Sequence, residues 1–220
     1  MKTLVCALTL SLVCIAPGCA STSIAIREQL GYAKREQLVN RVADARDSQT
    51  AAKKQFESAL AEFLAITGTQ DAKTSELEAR YKSLKSEYET SESRATAVRS
   101  RIKDVQNVAD ALFKEWESEL SQYSSAELRA NSERQLRDTR SQYEKLLGVM
   151  QSAAARMDPV LAAFKDQVLA LKHSLNAAAI ASLRGESARI ESDVSDLVKQ
   201  MQAAVDEADA FIKQMQPAGS

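Results

Sequence analysis

The chain has 220 residues, of which only 6 are Gly and 3 are Pro, while 27% are charged and 5% are aromatic. Gly and Pro together fall far below their average share of roughly 12%, which is the composition of long helices rather than of a sheet protein or an α/β enzyme. A net charge of -1 offers no positive excess to a phosphate backbone, so nucleic-acid binding is not expected, and 45% hydrophobic content is too much for a disordered chain.

Residues 1–18 read as an export signal. Lys2 forms a short positive n-region, and Leu4 to Ile15 is an apolar run of 12 residues, too short for a membrane span of about 20. The run ends in Ala16-Pro17-Gly18-Cys19, which resembles a bacterial lipobox. Ala16 stands where Leu is usual, and ordinary cleavage after Ala20 is the competing reading. Lipidation at Cys19 is favoured, and several acyl chains together would anchor the protein stably. Cys6, Cys14 and Cys19 are the three cysteines, so a chain beginning at Cys19 has no disulfide or thiolate metal site of its own. Ala20 follows the Cys where Asp would favour inner-membrane retention. By that resemblance the expected place is the outer membrane, facing the periplasm. Residues 19–31 form a Ser/Thr tether with Ile24, Ile26 and Leu30, and Gly31 separates it from the fold.

Residues 32–216 carry a 4-3 apolar repeat. The first helix is expected over about 32–66, with the seam Leu38, Val42, Ala45, Gln49, Ala52, Phe56, Ala59, Phe63, Ile66. Gly68 to Asp71 breaks it. The second runs over about 73–122 along Leu77, Tyr81, Leu84, Tyr88, Ser91, Ala95, Val98, Ile102, Val105, Ala109, Leu112 and Trp116, a length of about 75 Å. A sustained period of 3.5 residues implies left-handed supercoiling. Ser124 and Glu127 have capping-box spacing, so the third helix is expected from about Ser125 to Ser182. Its seam passes through Leu136, Tyr143, Leu146, Met150, Met157 and Phe164, then slips to Val168, Leu171, Leu175 and Ala178. Pro159 after Asp158 predicts a kink or restart. Gly185 is read as the C-terminal cap. The fourth helix follows over about 186–215 along Ile190, Val194, Leu197, Met201, Ala204, Ala208, Phe211 and Met215.

Short breaks make neighbouring helices antiparallel. The expected fold is therefore all-α: an elongated antiparallel four-helix bundle or coiled coil with a protruding two-helix hairpin spanning about Val108 to Leu146. Mirror pairing about the turns brings Gln49, Ser91 and Asp158 to one level, read as a polar layer that fixes register at some cost in stability.

Little in the sequence carries chemistry. His173 is the only histidine, expected mid-helix and buried near Glu76 and Asp196. It has no Glu three residues before it, as di-iron bundles require, and one His without thiolates makes no zinc site. No glycine loop cradles a phosphate. Glu115, Glu117 and Glu119 alternate around a helix as a solvated face does. No cofactor and no catalytic or metal-binding residue is expected, and an enzyme is not. The hairpin tip is the exception: Phe113, Trp116, Leu120 and Tyr123, with Leu112 and Leu128, are more than two helices can cover, and such clusters often mark contacts. Packing of Trp116 in the seam is the plainer alternative.

Three stretches resemble a family of uncharacterised bacterial lipoproteins, the domain-of-unknown-function family 2959: Arg41 to Phe63, Ala109 to Arg140 with its WESEL segment, and Met157 to Arg184 with MDPVLAAF and LKHSLN. The resemblance implies an exported helical lipoprotein and brings no reaction, substrate or site residue. The sequence thus leads to a non-enzymatic envelope spacer or adaptor. It would be held to the membrane by its lipid and would engage a protein or peptidoglycan, with no nucleic-acid partner. A second copy can complete seams of this kind. The rival is a periplasmic carrier holding an apolar ligand against Met150, Met157, Met201 and Phe211.

Overall fold

The computed structural model describes residues 34–68, 74–174 and 176–215. The chain divides between Tyr32 and Ala33 into two units, and the described residues all belong to the second. The expected export signal, Cys19, the expected tether and most of the first break lie outside the described residues.

These residues form four helices: α1 (Lys34–Thr67), α2 (Thr74–Leu120), α3 (Ala126–His173) and α4 (Ala177–Met215). The apolar repeat explains why they associate. Every α1 seam residue from Leu38 to Ile66 is buried, and so is every α4 seam residue from Ile190 to Met215. On α2 the seam residues Tyr81 and Trp116 stay half-covered, as does Thr139 between Leu136 and Tyr143 on α3. α1 packs on α2 and α4, and α3 packs on the same two, so the helices close a ring in chain order. Across its centre the Phe63 and Phe164 rings meet edge to face at 6.2 Å, a favoured aromatic geometry.

The last turn lies elsewhere than the sequence suggested. α3 stops at His173, and α4 begins at Ala177, not near Glu186. The Ser174 amide closes α3 by donating to the Ala170 carbonyl at 3.2 Å. Asn176 then starts α4: its Oδ1 accepts from the Ala179 amide at 3.0 Å, as an N-cap does. Gly185 lies inside α4, where a Cβ would meet nothing within 4 Å. Ile180 and Leu183, both buried, continue the seam backwards from Ile190 through Ser187.

Two smaller differences concern α3. Its N-cap is Ser125, whose side chain accepts from the Leu128 amide, one residue beyond the expected cap. α3 also runs through Pro159 without a restart.

Cross-links fix the register. Lys34 pairs with Glu115 at 2.8 Å, and Arg35 Nε donates to the Met215 carbonyl at 3.0 Å. These mark one end of the ring. Lys145 pairs with Glu207 at 2.8 Å, which brings the end of α4 down beside Leu136. The α4 turn lies earlier than expected, so α4 covers more of α3 and the two-helix projection shrinks. Val108, Leu112, Tyr143 and Leu146 are buried, and only about residues 116–135 extend past the ring. At the other end, Arg184 Nε donates to the Thr67 carbonyl at 3.0 Å, placing a cation on the C-terminus of α1, where the helix dipole favours it.

Candidate functional site

The tip is built by the end of α2, the turn at 121–125 and the start of α3. Phe113 is 5% exposed. It meets Tyr143 edge to face at 5.4 Å and lies under the Arg140 guanidinium, 4.9 Å from the ring centroid. Arg140 in turn pairs with Glu117 at 2.9 Å. Burial, reinforced by the charges of Asp110 and Glu144, pushes the Tyr143 phenol up to about 12. Phe113 is therefore a core residue and not a surface contact.

The other three expected contact residues are more accessible. Trp116 is half-buried, and its indole Nε1 donates to the Ser132 hydroxyl at 2.8 Å. Ser132 is itself buried, so this bond ties α2 to α3 beyond the ring. Leu120, one turn further, is half-buried. Tyr123 is 42% exposed, and Leu128 is 57% exposed. A shallow cleft of about 190 Å³ lies beside them, lined by Arg35, Leu112, Glu115, Trp116 and Glu119. The tip thus offers apolar surface from Trp116, Leu120, Tyr123 and Leu128 with acidic neighbours on α2.

The expected polar layer is present in part. Gln49 and Ser91 are both fully buried. The Ser91 hydroxyl donates to the Glu87 carbonyl at 2.7 Å, whereas neither amide atom of Gln49 has a partner. Asp158 does not belong to the layer. It follows the seam residue Met157, points outward, and forms an ion pair with Arg99. His173 also differs from expectation: it is the exposed last residue of α3, one of two basic side chains in that turn with Lys172.

Among the described residues, open grooves run between helices. One, of about 640 Å³, lies between α2 and α3 and includes Tyr88, Glu92, Arg99, Asp158 and Lys165. Burial, with a hydrogen bond to Glu92, pushes the Tyr88 phenol up to about 12. Another, of about 580 Å³, lies between α3 and α4 along Gly148, Ser152, Ala155, Gln200 and Ala203. Met150, Met157, Met201 and Phe211 are at most 2% exposed and fill the core. Among the described residues no three His, Cys, Asp or Glu side chains gather as metal ligands, and no helix is long and apolar enough to cross a membrane.

Sequence reasoning missed the Trp116–Ser132 bond and the Arg140–Phe113 stacking. Both join residues on either side of the tip turn, and mirror pairing about that turn could have found them. A family model described as a protein of unknown function (DUF2959) matches residues 24–215, and the chain belongs to that family. No curated protein matches the chain, and no solved structure does.

Proposed function

We propose that this member of a family without assigned function is a non-enzymatic lipoprotein of the cell envelope. Its Cys19 lipid would hold it to the outer membrane on the periplasmic side. Its bundle would act as a spacer or adaptor whose tip engages a protein or peptidoglycan partner. The observation that carries this reading is the tip. Among the described residues the exposed large apolar side chains are Tyr123, Leu128 and Leu169, and the first two stand open beside half-covered Trp116 and Leu120. Exposed aromatic and aliphatic groups clustered at one end are what a contact surface needs. The anchor part of the reading rests on the sequence around Cys19. The carrier reading is less well supported, because the methionines that would line a ligand site are packed against the bundle's own side chains.

The test is photo-crosslinking in living cells from Leu120 and Tyr123, with Glu62, a half-buried residue of α1 away from the tip, as control. A discrete adduct from the tip alone is the expected result. Equal labelling from all three positions refutes a tip contact. Separately, Cys19→Ala is expected to move the protein from the membrane fraction to the soluble periplasm, and retention in the membrane refutes the anchor.

A further inference from the structure

Gln49 is 0% exposed, and both its Nε2 and its Oε1 lack a partner. A primary amide has two donors and one two-lone-pair acceptor, and buried polar groups are nearly always satisfied by protein or by ordered water. Its surroundings follow from the register. The Arg46–Asp209 ion pair and the Lys53–Gln202 hydrogen bond bracket Gln49 and set it against the interval between Ala204 and Ala208. Gln55 bonds to Glu87. Stepping from Gln55 to Gln49 along α1 advances the antiparallel α2 to the interval between Ser91 and Ala95. The Phe63–Phe164 contact brings Met150 of the parallel α3 to the same level. Ala45 and Ala52 lie one turn to either side on α1 itself.

The layer is therefore made of alanines, one methionine, one amide and one hydroxyl, all buried. Alanine side chains are short and offer the amide no polar partner. The Ser91 hydroxyl has used its proton on Glu87, so its lone pairs remain as acceptors. We propose that Gln49 and Ser91 form an internal hydration site, with a water that accepts from Gln49 Nε2 and donates to Gln49 Oε1 or Ser91 Oγ. An internal water typically makes about three such bonds. The site separates two apolar blocks of the core, with Phe56, Phe63 and Phe164 towards the two-turn end and Phe113, Tyr143 and Phe211 towards the tip.

Two measurements test this on the purified protein. A crystal structure at a resolution that shows waters is expected to hold one within hydrogen-bonding distance of both the Gln49 amide and the Ser91 hydroxyl. A dry layer, or a Gln49 amide bonded instead to another protein group, overturns the proposal. Unfolding equilibria of Gln49→Leu, Ser91→Ala and the double variant supply the second readout. If the two residues share a water, their effects on the unfolding constant depart from multiplicativity by about threefold or more, as for residues in one network. Multiplicative effects also overturn it.

Discussion

Gly185→Ala tests the corrected position of the last turn. A glycine just past a helix end commonly adopts the left-handed conformation, and Ala there is destabilising. A glycine within a helix instead costs about 0.8–1.0 kcal/mol relative to Ala. Gly185 is exposed on α4, and nothing lies within 4 Å of a Cβ built there. No steric term opposes the gain, so Gly185→Ala is expected to stabilise by about 1 kcal/mol. For a chain of this size that is about 2–4 °C in Tm. Gly148, inside α3 and equally open, serves as the matched control. Gly148→Ala is expected to give a similar gain, and the two should add because the sites share no partner. Urea unfolding followed by circular dichroism at 222 nm measures both. If Gly148→Ala stabilises but Gly185→Ala destabilises by about 1 kcal/mol, then Gly185 caps a helix, α4 starts later, and the shortened tip is wrong.

Phe63→Ala removes a 0%-exposed ring from the centre of the bundle and is expected to cost about 3–5 kcal/mol in urea unfolding; a loss under about 1 kcal/mol would mean that Phe63 and Phe164 do not pack together. Trp116→Phe keeps most of the apolar surface but strands the buried Ser132 hydroxyl, so about 1 kcal/mol should be lost, and Ser132→Ala on the Trp116→Phe background should then change little. The folded chain keeps the Tyr88 and Tyr143 phenols neutral from their ordinary value of 10.0 up to about 12, while the unfolded chain releases those protons. The stability they contribute is therefore full below pH 10 and lost as pH rises through about 12. Absorbance at 295 nm should show both phenols titrating late, and Tyr143→Phe should flatten the alkaline fall in stability. A simple titration of all five tyrosines near pH 10 would contradict the burial described.

Most of the fold was legible because one physical rule, burial of a 4-3 stripe, governs nearly every helical residue. The seam positions of α1 and α4 were read directly. The last turn was not, for a reason the stripe itself supplies: Leu175 and Ala178 keep the helical spacing across the break, so periodicity gives no warning. The local signal was Ser174 and Asn176, residue types whose side chains compete for nearby backbone groups, as Asn176 does with the Ala179 amide, and it was outweighed by a glycine further on. That displacement propagated through mirror pairing and made the bare tip too long. Asp158 was misread for a different cause. One residue separates it from the seam, and one residue on a helix is about 100° of rotation, enough to carry the carboxylate from the core to solvent, where Arg99 meets it. For the tip, the sequence identified the right region but not how its residues divide. Phe113 is claimed by Arg140 and Tyr143, which lie across the turn, and only Tyr123 of the four expected residues is open.

The ring is closed by its first and last members. Arg35 meets Met215 across 180 residues of chain, and Arg46 meets Asp209 across 163. A ribosome delivers α1 long before α4, so one flank of α1 has no native cover until nearly the whole chain is made. Contacts at such separation slow folding and leave apolar surface open in the interim. Closure of the core therefore waits for the last part of the chain to be made. The final helix acts as a latch, and a chain truncated within it would retain three long helices with no means of closing their core.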